Sequence, residues 1–253
     1  MLYISQLLET HRLVPLLEAY PIGLEVISFS IGFVLDDVEA SIDHYQKEFS
    51  ALSQETPLTF HGPFLDLLPG TCDKKVRELA RTRFEAGYQA AKTFGVKHMI
   101  FHTGYMPNTY PDVYWLENVI HFWQDFLKDK LEDCTFYVEN VLDLDWQLLH
   151  QLIDAIDHPH FKVCLDVGHV KAYSRRSVNE WIQGLGDRIG YVHLHNNDGS
   201  RDAHAGLLNG TIPMKDVLSQ LRVTAPDAHW SLEVSDEVEL KRSIEWLMEQ
   251  KLI

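Results

Sequence analysis

Short apolar runs alternate along this chain with longer segments whose apolar positions recur every three or four residues, the signatures of buried strands and of helices with one apolar face. Residues 2–5 predict a brief first strand, and a helical pattern follows to about residue 20. Residues 22–29 read as the second strand, and the segment from Asp36, with acidic residues in its first turn, as its helix. The third strand is 58–61, broken sharply at His61, Gly62 and Pro63, with a long helix over 73–94. The fourth is 97–102, followed by an aromatic helix over 110–131 in which Tyr114, Trp115, Phe122, Trp123 and Phe126 are spaced as a packing surface. The second half repeats the alternation: strand 135–141 with helix 143–157, strand 161–167 with a helix near 177–185, strand 189–195 with a helix from Pro213 past Leu221, and strand 230–235 with helix 236–251.

Eight strand-then-helix units without a linker or a composition shift predict an α/β fold, a single (β/α)8 TIM barrel forming one domain over residues 1–253. A doubly wound open sheet is the rival. The placement of polar residues favours the barrel: His61, His102, Glu139, Asp166, His195 and Glu233 each fall at or near the end of a different strand. Parallel strands in a ring bring those ends to one rim, whereas an open sheet would spread them along a line and leave buried polar groups without partners.

Composition narrows the partners. With 22 Lys and Arg against 37 Asp and Glu, the net charge of -15 disfavours broad electrostatic capture of nucleic acid, although a local basic groove or bound cations could offset it. Cys72, Cys134 and Cys164 are odd in number and widely spaced, so they predict mostly buried, reduced thiols, neither a disulfide framework nor a thiolate zinc site. No apolar run approaches the roughly 20 residues that span a bilayer, and the first residues lack the shape of a signal peptide, so a cytoplasmic protein is expected, with homo-oligomerisation left open.

The chemistry concentrates in Tyr191 to Gly210, where a strand empties into a polar loop carrying His193, His195, Asp198, Asp202 and His204. Imidazole and carboxylate groups at this density suit divalent metals. Each residue also has a plain structural reading. His61 could cap a turn, and His102 could be a hydrogen-bonded core histidine. Glu139 and Glu233 are harder to explain that way, because burying a carboxylate costs several kcal/mol unless a cation or donors compensate. Asp166 and His169 face one another across a glycine-containing turn, as two ligands of one cation would, or as a turn cap. His193, two residues deeper than His195, reads as a barrel-interior group or a direct ligand. Asp202 and His204 lie in a loop, where such residues are common.

The series HGP, FHTG, VEN, LDVGH, HxND (His195, Asn196, Asn197, Asp198), DAH and LEV, in this order and spacing, resembles the xylose isomerase-like TIM-barrel superfamily from about Ile22 onward. That superfamily includes sugar isomerases and epimerases and also the endonuclease IV class. The isomerase branch implies one divalent metal (Mn, Zn, Mg or Co) on Glu139, Asp166, His195 and Glu233. In that branch Glu139 and Glu233 exchange a carbon-bound proton on a sugar or sugar phosphate beside a metal-polarised carbonyl, with His61, His102 and His169 as substrate contacts. The endonuclease branch implies up to three zinc ions held by His61, His102, Glu139, Asp166, His169, His195, Asp202, His204 and Glu233, acting on abasic DNA. The acidic charge and the loop after the second strand, which has no arginine, weigh against DNA; Phe64 and Leu65 could be duplex-wedging residues or pocket wall. The isomerase reading leads. A noncatalytic barrel that binds a metal or carbohydrate is the remaining alternative.

Overall fold

The computed structural model describes residues 1–109 and 111–252. Its strands are β1 (Leu2–Ser5), β2 (Gly23–Val26), β3 (Leu58–His61), β4 (His98–His102), β5 (Thr135–Glu139), β6 (Phe161–Asp166), β7 (Ile189–Leu194) and β8 (His229–Leu232). They form a closed ring in sequence order, every pair parallel, with β8 returning against β1. The helices are α1 (Thr10–Ala19), α2 (Val38–Phe49), α3 (Lys74–Thr93), α4 (Asp112–Leu127), α5 (Gln147–Ile156), α6 (Val167–Tyr173), α7 (Val178–Leu185), α8 (Met214–Thr224) and α9 (Glu237–Glu249). The α/β barrel is thus the fold, and the open sheet is excluded.

Two-residue alternation splits each strand between two cores. Outward residues such as Phe101, Phe136, Val138, Leu165 and Val192 join the helices in one apolar shell. In that shell Phe84 of α3 and Trp123 of α4 pack on Phe101, with ring centroids 4.4 and 5.6 Å away. Inward residues Tyr3, Ile100, Tyr137, Cys164 and Tyr191 fill the barrel as a separate cluster. Above that plug, toward the strands' C-terminal ends, sit the buried inward groups Glu25, His61, Glu139, Asp166 and His193.

Element boundaries depart from the sequence expectation mainly at that rim. The second strand stops at Val26, because the amides of Ile27 and Ser28 and the Ser28 hydroxyl donate to Gln6 Oε1 in place of a neighbouring strand. A helix expected from 143 starts at Gln147, because Asp143 instead accepts from the Val141 amide and the Thr103 hydroxyl, clipping β4 to β5 just beyond their last residues. The short α6 was not expected; Asp166 ends β6 and caps α6 in one residue. Tyr110, the expected first residue of the aromatic helix, lies outside the described residues. Cys134 and Cys164 are buried free thiols as expected, whereas Cys72 is exposed.

At the opposite mouth His98 and His229 lie with ring centroids 4.6 Å apart, and His98 Nδ1 bonds the Tyr137 hydroxyl at 2.9 Å. Burial, then the neighbouring His98, depresses the His229 pKa to about 4. The folded form therefore binds fewer protons than the unfolded chain between about pH 6.5 and 4, so this histidine's contribution is present above pH 6.5 and lost as pH falls through that window. Urea unfolding at pH 7 and 4.5 should show a fall in stability that is smaller in His229→Gln. An unchanged pH dependence in the variant would contradict this assignment.

Candidate functional site

The register of the ring decides which groups meet. His102 pairs with Glu139 and Asp166 with His193 across adjacent strands, while Glu139 pairs with Cys164, so the register steps by two residues between β5 and Asp166 at the end of β6. His61 and Glu139 close β3 and β5, while His195 and Glu233 stand one residue beyond β7 and β8. His169 projects from the first turn of α6, and Asp202 and His204 come from the loop after β7. His204 takes a positive φ of 45°, held by its Nδ1 against the Glu233 carbonyl at 3.1 Å.

Around Glu139, His61 Nε2 lies 3.2 Å and His102 Nε2 3.4 Å from Oε2, while His169 Nδ1 lies 3.3 Å and His193 Nδ1 3.2 Å from Oε1. His195 Nε2 is 3.1 Å from Asp166 Oδ1 and 3.6 Å from Asp202 Oδ1. Asp202 Oδ2 bridges His169 Nε2 at 3.2 Å and His204 Nε2 at 2.9 Å. All nine residues named in the sequence thus converge. Asp198 does not: its carboxylate accepts from the amide and hydroxyl of Ser200 and shapes an exposed turn.

Donor atoms close enough to share an ion fall into His61, His102 and Glu139; Glu139, Asp166, His193 and Glu233; and His169, His195, Asp202 and His204. Glu139 with Cys164 and His193 is a fourth grouping. His193 Nδ1, His195 Nδ1 and Asp202 Oδ1 are buried without a hydrogen-bond partner, so the donor set is one that a nitrogen- and oxygen-seeking divalent cation fits.

Burial raises the Glu139 pKa, but His193, His102 and the other imidazoles outweigh it and hold the carboxyl well below its usual range. Burial also raises Glu233, where His193 lowers it and the carboxylates of Glu139, Glu25 and Asp166 push it up further; the net direction is upward. The two glutamates are thereby driven apart in proton affinity. Burial depresses His102 to about 3, whereas His204, despite burial, is raised to about 9 by Asp202 and Glu233.

Three supporting residues were not anticipated. Glu25, concealed inside the apolar run of β2, is fully buried and binds His193 and Tyr191; an acid in the middle of an apolar strand was the available signal. Asn140 brackets Asp166, accepting from its amide at 2.9 Å and donating to its carbonyl at 3.0 Å. Gly168 lets α6 lie against His195, because a Cβ there would overlap the imidazole.

The constellation opens into a cavity of about 960 Å³ whose outer walls include Gln6, Ser28, Tyr45, Phe64 and Tyr173. Phe64 stacks on His102 at 4.3 Å between centroids and is pocket wall; Leu65 beside it is exposed. No lysine or arginine lines this cavity among the described residues.

The TTHB071 protein from Thermus thermophilus, in a crystal soaked with ZnCl2, superposes with a TM-score of 0.79 at 22% identity, covering 98% of this chain and 96% of that one. A D-tagatose 3-epimerase-like protein gives a TM-score of 0.79 at 21% identity, over 98% and 96% of the two chains. A probable endonuclease 4 of Metamycoplasma arthritidis is 21% identical over 190 residues, 68% of this chain and 67% of that protein. The sequence model of the xylose isomerase-like TIM barrel family matches residues 18–250, and the chain belongs to that family.

Proposed function

We propose that this chain is a divalent-metal-dependent isomerase or epimerase of a small sugar, and that residues 1–253 form one domain of a cytoplasmic enzyme. The observation that carries the reading is the pair of buried carboxylates, Glu139 and Glu233, set with Asp166 around one ligand cluster and opening into a cavity that no lysine or arginine lines among the described residues. Glu139, Asp166 and Glu233 would hold the cation together with one imidazole, either His193, whose donor atom groups with theirs, or His195, which groups with Asp202 and His204 but lies 3.1 Å from Asp166; the cation when bound polarises a substrate carbonyl. One glutamate takes the proton from the carbon beside that carbonyl, and the other returns a proton to the opposite face. His61, His102 and His169 orient substrate hydroxyls from the cavity wall. The absence of lysine and arginine there favours an uncharged sugar over a sugar phosphate. The likeness to the D-tagatose 3-epimerase-like protein supports the substrate class, and the zinc soak of the Thermus protein supports the choice of a divalent metal.

A second reading has its own observation. The three ligand clusters could hold three zinc ions, and the relative described as a probable endonuclease 4 makes abasic DNA the substrate to test.

In deuterated solvent, the metal-loaded protein should exchange a carbon-bound proton of a ketohexose, screened across unphosphorylated stereoisomers. Glu139→Gln should lower that rate by at least about 100-fold, the usual weight of a positioned acid or base, and chelation should abolish it. Exchange that persists in Glu139→Gln, or incision of an abasic duplex that disappears in His102→Ala, would replace this reading with another. Gly168→Ala should displace His195 and weaken cation binding by roughly 10–100-fold, the range seen when ligand support is lost, with the circular dichroism spectrum retained; unchanged metal titration would remove His195 from the ligand set.

A further inference from the structure

A second cavity, on the far side of α6 from the first, has the opposite electrostatic character. It holds about 290 Å³ between α6, the turn into α7 and the loop that leads to α8. Lys171, Arg175, Arg176 and Asn179 line it over a buried apolar floor that includes Ile212 and Val217. No Asp or Glu lines it among the described residues, in a chain where those residues outnumber Lys and Arg by 37 to 22.

The polar groups of this pocket keep most of their donors free. Arg175 hydrogen-bonds through its amide, on the Leu144 carbonyl at 3.0 Å, and Asn179 through its carbonyl, which accepts from Gln220 at 3.3 Å; their side chains and that of Lys171 have no hydrogen-bond or ion-pair partner among the described residues. Arg176 lies over the Trp146 ring at 5.8 Å and meets Glu180 at the surface at 3.5 Å. Cations gathered in one concavity without counter-charge repel one another, and a bound anion relieves that repulsion. Ammonium and guanidinium groups only donate, and the guanidinium fork matches two oxygens of a phosphate. A nucleic-acid backbone would need an extended basic track, whereas these cations surround one small pocket, which suits a compact anion.

The helix between the two cavities links them. His169 and Tyr173, one turn apart on α6, face the large cavity, and Val170 and Ser174, also one turn apart, face the small one. A second connection runs through Asn197, whose carbonyl accepts from the amide of Thr211 in the small pocket's wall and whose Nδ2 donates to the Gly168 carbonyl, both at 2.9 Å. Gly168 in turn lies against the His195 imidazole.

We propose that the outer pocket binds a compact phosphate-bearing anion through Lys171, Arg175 and Arg176, and that the bound anion braces α6 and with it the face that His169 presents to the large cavity. The inference depends neither on the metal nor on the reaction assigned to the large cavity.

Titration calorimetry tests it on the full chain with a chelator present, which keeps phosphate away from any cation in the large cavity. Inorganic phosphate and glycerol 3-phosphate are titrated separately, and the tighter of the two shows whether the pocket selects the free ion or an ester. One saturable site per chain is expected. Arg175→Gln and Lys171→Gln should each weaken it by roughly tenfold, the weight of a charge-assisted hydrogen bond, with the circular dichroism spectrum retained. Lys74→Gln, which removes a charge from α3, should leave binding unchanged. At saturation, amide hydrogen exchange over residues 167–173 should slow. Absence of saturable binding by either anion, or binding that survives the Arg175→Gln and Lys171→Gln double variant, would overturn the site. Saturation with no change in exchange across α6 would overturn its link to the large cavity.

Discussion

The carboxylates of Glu25, Glu139, Asp166 and Glu233 are withdrawn from water at one end of a closed barrel, and the rest of the structure is arranged around making that tolerable. Each negative group needs a donor or a cation within reach, and the chain supplies them in order of depth. Tyr191 and His193 serve Glu25 at the bottom; His61, His102 and His169 ring Glu139 above it; His195 and the Asp202 and His204 pair complete the upper edge. Only ring closure brings these groups together, since they arrive on separate strands and loops from Glu25 to Glu233.

The apolar shell and the polar centre are made by the same strands, and this ties stability to chemistry. Phe136 and Val138 anchor β5 in the helical layer, and the alternate position carries Glu139 inward. Asp166 ends β6, caps α6 through the His169 amide and faces His195 through the same carboxylate. Few side chains at this rim have one role, so the local structure at the strand ends is fixed by the site as much as by the core.

The fold was legible because the strand and helix periods alternate cleanly, and because six polar residues fell at strand ends where an apolar residue would otherwise be expected. Boundaries were less legible at the rim, where side chains take over backbone hydrogen bonds: Gln6 does so for Ile27 and Ser28, and Asp143 for Val141. The nine candidate ligands were visible in the motifs, but their grouping was not. Two residues of depth separate a role for His193 from one for His195, and only the paired register fixes depth. Glu25 escaped notice because a single acid in an apolar run signals a buried charge but not its partner, which the ring alone places beside it as His193. That no lysine or arginine lines the cavity among the described residues likewise depends on which loops fold inward, which the net charge of -15 does not specify.

Quantitative metal analysis of the purified chain after exhaustive dialysis against dilute Zn²⁺ or Mn²⁺ bears most directly on the claim that these buried carboxylates are organised around a cation. At least one tightly held divalent ion per chain, accompanied by a higher unfolding midpoint than the chelated protein, is the predicted result. A protein that retains no metal, and whose unfolding is the same with and without it, would contradict the account.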